Sequence, residues 1–219
     1  MRKREIYQSD SMTGIISYPE KTANKILIAL HGIGSNEEDL LPVAKEIAPD
    51  ALVISLRSPN KMGIDAYSFF HVEFRSTGNI HDWEDVKKNF ALLENELLGI
   101  EKRFQIPLKD MAVMGFSQGS IMTMGLLLQS PLEIGHYLCF SGRTLAEFAD
   151  YGLKNPNFGT RRKLFLTHGV EDNVLPVEKG RESLKIVQQI GADVTYSEFM
   201  GGHGIVDSII RDAKEWLCR

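Results

Sequence analysis

The chain has 219 residues, of which 43% are hydrophobic and 25% charged, and its formal net charge is −4. This length fits one domain, and the composition is that of a globular protein rather than a disordered or fibrous one. A negative net charge provides no general attraction to phosphate, so we expect no nucleic-acid partner.

Compartment and membrane association can also be predicted from residue patterns. Two cysteines are too few for a disulfide framework. The sequence has neither the apolar core of a signal peptide nor a stretch of about 20 apolar residues. We therefore predict a single domain over residues 1–219, located in the cytoplasm and without stable membrane insertion. The sequence does not indicate an oligomeric state.

Short apolar runs bounded by turn residues recur along the chain, which is typical of strands buried on both faces of a parallel sheet. Residues 6–7 and 14–18 come first and are predicted to form an antiparallel hairpin. The buried runs follow at residues 25–30, 51–56, 111–116, 137–140 and 164–166. A sixth run, 194–199, alternates apolar and polar residues and is predicted to lie near an edge.

Amphipathic stretches with helical spacing separate these runs. They cover residues 37–48, 83–104, 118–128, 177–190 and 206–217. Strands that alternate with helices predict an α/β fold, with a mostly parallel central sheet and helices on both faces. Two longer stretches, 57–81 and 152–163, are expected to be irregular, and long loops in compact domains are often functional.

A candidate nucleophile follows the third buried run, in Gly115-Phe116-Ser117-Gln118-Gly119. This sequence matches the pattern G-x-S-x-G between a strand and a helix, where a sharp turn holds the serine hydroxyl at the carboxyl edge of the sheet. Small residues two before and two after the serine let the chain pass close to itself. A chance Gly-Ser-Gly turn is the alternative, because the bare pattern is common.

A nucleophilic serine needs a base and a carboxylate that orients the base. Asp172 follows the run 164–166, and His203 stands between glycines after the last strand. This gives the chain order Ser, Asp, His of an α/β-hydrolase, with all three residues at the carboxyl edge of the sheet. Glu171 and Asp193 are the alternatives to Asp172.

The same chemistry needs two backbone N–H groups that face the developing oxyanion. One is expected from Gln118, directly after the serine, and the other from Ile33, in a glycine-containing loop after an early strand. An ordinary strand-to-helix turn is the alternative for this loop. A dinucleotide-binding G-x-G-x-x-G is disfavoured because Glu37 stands where the third glycine is needed.

Taken together, these motifs resemble the phospholipase/carboxylesterase family, which includes the acyl-protein thioesterases. The resembling segments are 30–34, 55–59, 115–119, His168-Gly169 with Asp172 and residues 174–176, and 202–205. The resemblance implies a serine esterase of the α/β-hydrolase fold, with Ser117 as nucleophile, His203 as base and Asp172 as its partner. The chain has no obvious insertion that could form a large lid domain, so we expect an accessible site. The expected substrates are small to medium acyl esters, with thioesters and lysophospholipids as further candidates.

Substrate contacts are expected from the long stretch 57–81. Its aromatic residues Tyr67, Phe69, Phe70 and Phe74 are candidates to cover the serine, and a small satellite core is the alternative. The family often carries a Gly-Tyr-Ala-Trp-Phe-like segment here, whereas this chain reads Asp65-Ala66-Tyr67-Ser68-Phe69-Phe70.

Neither a metal-binding pattern nor a cofactor motif is present, so the chemistry is predicted to need no metal and no cofactor. Two other functions use the same fold. An acyltransferase would use the same triad, and a ligand-binding protein without catalysis would keep only the scaffold.

Overall fold

The computed structural model describes residues 2–73, 80–155 and 160–219. Its strands are β1 (Arg4–Gln8), β2 (Thr13–Ser17), β3 (Ile26–Leu30), β4 (Leu52–Arg57), β5 (Asn60–Gly63), β6 (Ala66–Ser68), β7 (Val72–Glu73), β8 (Ile80–His81), β9 (Met111–Phe116), β10 (His136–Phe140), β11 (Lys163–Gly169) and β12 (Asp193–Phe199). Its helices are α1 (Leu41–Ile47), α2 (Trp83–Phe104), α3 (Gln118–Gln129), α4 (Ala146–Lys154), α5 (Val177–Gln189) and α6 (Asp207–Leu217), with one 3₁₀ turn at Leu108–Asp110.

Eight strands form the central sheet, in the order β1-β2-β4-β3-β9-β10-β11-β12. The six strands from β4 to β12 in this order are parallel to their neighbours. β2 is antiparallel to β4, and β1 is antiparallel to β2. The mostly parallel sheet, the initial hairpin and the edge position of the last strand are therefore confirmed.

Helices cover both faces of this sheet because successive side chains of each strand point to opposite sides. In β3, Ile26, Ile28 and Leu30 pack into a core shared with α2, α3, α4 and α5. Leu27 and Ala29 face the other core, which includes α1 and α6. No helix in the described part of the chain is both long and apolar enough to cross a membrane.

The long helix α2 has the predicted bounds because its ends are specified locally. The side chain of Asp82 accepts hydrogen bonds from the N–H groups of Glu84 at 3.0 Å and Asp85 at 3.3 Å, as expected of an N-cap. The helix ends at Phe104, because the next residue, Gln105, has a left-handed backbone with φ 54°.

Helix α1 begins at Leu41, later than the predicted start at residue 37. The side chain of Asn36 accepts the N–H of Glu38 at 2.9 Å and forms a local turn. Glu37 makes an ion pair with Arg57 that holds this turn against β4. Pro42 lies in the first helical turn, where its missing N–H costs nothing.

Two stretches expected to be irregular contain regular structure. In 57–81, β5 pairs with β6 and β7 with β8 as small antiparallel hairpins. Their strands are two to four residues long, too short to show a periodic pattern. Helix α4 was not predicted, and it extends to Lys154, inside the stretch 152–163.

Candidate active site

Ser117 stands on a sharp turn between β9 and α3. Its φ is 52°, a left-handed conformation that is strained for a serine. Gly115 and Gly119 make the turn possible, since a Cβ on Gly115 would lie 2.2 Å from the carbonyl oxygen of Gly119, and a Cβ on Gly119 would lie 1.9 Å from that of Leu30. Small residues are thus required at both positions, as the sequence pattern predicts.

The three residues proposed as a triad form one hydrogen-bonded chain. Nε2 of His203 lies 2.9 Å from Oγ of Ser117. Nδ1 of the same ring lies 2.7 Å from Oδ2 of Asp172. Ser117 and Asp172 are 7% and 5% exposed. Burial strengthens these interactions because little water competes for the same groups.

The carboxylate of Asp172 is fixed on both of its oxygens. Oδ1 accepts the N–H groups of Val174 at 2.9 Å and Leu175 at 2.8 Å. Oδ2 faces His203 and also lies 3.3 Å from Nε2 of His168. His168 donates from that nitrogen to the carbonyl of Leu175 at 2.7 Å, which stabilises the turn that carries Asp172. The competing Glu171 is exposed.

His31 organises the loop that carries Ile33. Its Nε2 accepts the N–H of Ser58 at 3.1 Å, so Nδ1 carries the proton and donates to the carbonyl of Gly32 at 2.7 Å. Burial lowers the pKa of His31 and keeps the ring neutral. The loop also forms hydrogen bonds with the backbone of Tyr67. The carbonyl of Tyr67 accepts the N–H of Gly34 at 2.8 Å, and the N–H of Tyr67 donates to the carbonyl of Ser35 at 2.9 Å.

Ile33 and Gln118 line a small cleft of about 50 Å³ together with Ser117. Phe70 is the member of the predicted aromatic set that also lines it. The other described lining residues were not predicted to contact substrate, and they are Val72, Ile121, Arg143, Val174 and Leu175.

The predicted aromatic residues thus differ in their positions. Phe69 is fully buried, with its ring 5.6 Å from that of His31. The ring of Tyr67 stacks with the guanidinium of Arg57 at 4.7 Å. Both residues support the loops around the cleft and are not among the residues that line it. Phe74 lies outside the described residues.

The side chain of Gln118 connects the nucleophile turn to these aromatics. Its Oε1 accepts the N–H of Phe69 at 2.7 Å, and its Nε2 donates to the carbonyl of Phe70 at 2.8 Å. Gln118 is 3% exposed, so these bonds compete with little water. This contact fixes one wall of the cleft relative to Ser117.

Comparison with known proteins places the chain in a family. The sequence model of the phospholipase/carboxylesterase family matches residues 12–218. The chain belongs to the phospholipase/carboxylesterase family. It is therefore a hydrolase of the serine hydrolase class.

Relatives agree with this assignment, and a solved structure shares the fold. The chain is 26% identical over 184 residues to acyl-protein thioesterase 1 of Candida albicans, covering 78% of this chain and 80% of that protein. It is 25% identical over 188 residues to esterase YpfH of Escherichia coli, covering 83% and 76%. A carboxylesterase crystal structure from Mesorhizobium loti aligns with a TM-score of 0.84 and 19% identity over 98% of each chain. The fold is that of the α/β-hydrolases, and the described residues form no lid.

Proposed function

We propose that this protein hydrolyses small to medium acyl esters through a covalent acyl-serine intermediate. The observation that carries this proposal is the hydrogen-bonded chain from Ser117 through His203 to Asp172. Residues 1–219 act as one catalytic domain in this proposal, and neither a metal nor a cofactor takes part.

Acylation begins when Oγ of Ser117 attacks the ester carbonyl carbon and its proton passes to Nε2 of His203. The carbon–oxygen bond of the leaving group then breaks, and His203 gives the proton to the departing alcohol. Water next attacks the acyl-serine, loses a proton to His203, and releases the acid as Ser117 recovers that proton. Asp172 holds the ring in the required tautomer and stabilises its charged form.

The oxyanion formed in each step is assigned to the backbone N–H groups of Ile33 and Gln118. Three observations support this assignment. Both residues line the cleft beside Ser117. Gln118 is the first residue of α3, where N–H groups and the positive end of the helix dipole favour a negative charge. The loop of Ile33 is held by His31 and Tyr67.

The size of the cleft supports short substrates. Its volume of about 50 Å³ is far below the roughly 300–1,000 Å³ of pockets that enclose a drug-sized ligand. A long acyl chain would therefore leave most of its apolar surface in water and gain little binding energy per added methylene.

Steady-state hydrolysis of 4-nitrophenyl esters with two to sixteen carbons tests this function. We expect kcat/KM to be highest for short chains, and we expect the folded Ser117→Ala variant to lose turnover of all of them. Turnover retained by Ser117→Ala would overturn the mechanism, whereas efficiency that rises steadily to the longest chains would overturn only the substrate class. Released acid measured with added alcohols or amines separates hydrolysis from acyl transfer.

A further inference from the structure

Arg143 is the one charged residue among the described residues that line the cleft beside Ser117. It follows β10 by three positions, at the carboxyl edge of the sheet where the triad lies. Because Arg143 and Ser117 line the same cleft, the charge of Arg143 bears on which substrates can bind there.

The backbone of Arg143 is fixed on both sides. A Cβ on the preceding Gly142 would lie 2.3 Å from Oγ of Ser120 and 3.1 Å from the carbonyl oxygen of Ser117, so this glycine packs directly against the nucleophile turn. On the other side, Thr144 donates its N–H to Oγ of the buried Ser183 at 2.9 Å. The guanidinium therefore projects from a rigid support.

Within the described residues, Arg143 makes no hydrogen bond and no ion pair. The two carboxylates whose charges reach it, Glu147 and Glu182, contact other side chains. Glu147 lies 3.1 Å from Nε2 of His81, and Glu182 lies 2.8 Å from Nζ of Lys179. The guanidinium donors are therefore free, and Arg143 lines the cleft.

Arg143 is also half-buried, and a partly buried charge without a hydrogen-bonded partner costs free energy. Burial lowers the pKa of Arg143, and the charges of Glu147 and Glu182 only partly offset this effect. A bound anion would supply what this environment lacks, because a guanidinium binds a carboxylate or phosphate through two parallel hydrogen bonds.

We propose that Arg143 makes this enzyme selective for esters that carry a carboxylate or phosphate group close to the scissile bond. This inference rests on the proposed esterase function and specifies its substrate class. Arg143 acts as a specificity residue that contacts the anionic group of the substrate, while Ser117 and His203 carry out the reaction. The remaining lining residues, which are mostly apolar, contact the short carbon chain.

Two matched pairs of substrates test this selectivity and identify which anion is preferred. Monomethyl glutarate is compared with methyl hexanoate, and 1-acetylglycerol 3-phosphate with 1-acetylglycerol, with acid release followed in a pH-stat. We expect the anionic member of at least one pair to have a kcat/KM about 10- to 100-fold higher than its neutral partner, the range of a charge-assisted hydrogen bond. Equal or lower efficiency in both pairs would overturn the proposal.

Arg143→Gln should lower the anionic-to-neutral ratio of kcat/KM by about 10- to 100-fold. Arg143→Lys keeps the charge but loses the paired donors, so it should lower the ratio less. Arg211 lies on the exposed side of α6, so the control variant Arg211→Gln should keep the wild-type anionic-to-neutral ratio of kcat/KM. A preference for the anion that survives both Arg143 substitutions would also overturn the proposal. Loss of all turnover in Ser117→Ala tests the esterase function separately.

Discussion

Asp172→Asn is a substitution that separates the charge and hydrogen-bonding role of this residue from its shape. In the structure, Oδ1 accepts two backbone N–H groups at 2.8 and 2.9 Å, and Oδ2 faces Nδ1 of His203 at 2.7 Å. An asparagine has one acceptor oxygen and one donor nitrogen. Its oxygen is needed by the N–H groups of Val174 and Leu175, so its NH₂ group must face His203.

This NH₂ group would donate to Nδ1 and move the ring proton to Nε2. The protonated Nε2 could no longer accept the proton of Ser117, 2.9 Å away. The asparagine NH₂ group would also face a second donor, Nε2 of His168, which lies 3.3 Å from Oδ2 of Asp172 in the wild type. In a Ser-His-Asp enzyme of another fold, the same change lowers kcat about 10⁴-fold, equivalent to about 5 kcal/mol in the barrier.

We expect Asp172→Asn to lower kcat for 4-nitrophenyl acetate by about 10⁴-fold, with a much smaller change in KM. Glu171→Gln is the matched control, because it removes a neighbouring carboxylate that is exposed, and it should retain wild-type kcat. Circular dichroism and thermal unfolding establish that both variants are folded. A folded Asp172→Asn within tenfold of the wild type would refute this reasoning.

Three further predictions test the packing of the nucleophile turn, the wall of the cleft and the dependence of stability on pH. Gly119→Ala places a Cβ 1.9 Å from the carbonyl oxygen of Leu30, so it should lower the free energy of unfolding by about 1–3 kcal/mol or more. By contrast, Gly99→Ala in α2 meets no atom within 4 Å and should raise that free energy by about 0.5–1 kcal/mol. If urea unfolding shows that the two substitutions change the free energy of unfolding in the same direction, the packing argument is wrong. Gln118→Ala leaves the N–H of Phe69 and the carbonyl of Phe70 without their partner. The free energy of unfolding should therefore fall by about 1–3 kcal/mol, and kcat/KM should fall as well. A wild-type free energy of unfolding together with a wild-type kcat/KM would show that this contact does not hold the cleft. Burial and the charges of Lys163 and Lys25 lower the pKa of His136, so the unfolded chain binds a proton more readily and stability should fall as the pH drops below about 6.5. His136→Gln should make the decline of Tm between about pH 7 and 5 shallower, whereas the exposed His71→Gln should leave the slope unchanged.

The strands of the central sheet and the three proposed triad residues could be predicted from the sequence because each depends on local patterns joined by one topological rule. Ser117, Asp172 and His203 each follow a strand of the parallel part of the sheet. Parallel strands end at the same edge, so residues far apart in sequence were expected to lie close together. Gly115 and Gly119 marked the sharp turn through their spacing alone.

The walls of the cleft could not be predicted in the same way, because they depend on contacts between distant segments. The side chain of Gln118 holds the backbone of Phe69 and Phe70, a contact that no periodicity reveals. The adjacent aromatics therefore differ, since Phe70 lines the cleft whereas Phe69 belongs to the core. Arg143 was missed although its position after β10 is the kind of signal that identified Asp172.

The bounds of some helices also depend on tertiary contacts. The amphipathic pattern extends α1 back to residue 37, but the ion pair of Glu37 with Arg57 and the turn at Asn36 hold that segment in a different conformation. Helix α4 has nine residues, and its stability comes mainly from the packing of Phe148 in the core between Trp83 and Phe90. Location in the cytoplasm stays a prediction of the sequence.

The most direct test of the account is to identify the residue that becomes covalently modified. The folded protein is treated with a fluorophosphonate, and its intact mass and proteolytic peptides are measured by mass spectrometry. We predict one adduct per chain, on Ser117, with labelling abolished in Ser117→Ala and strongly slowed in Asp172→Asn. An adduct on another residue, or no adduct on folded wild-type protein, would contradict it.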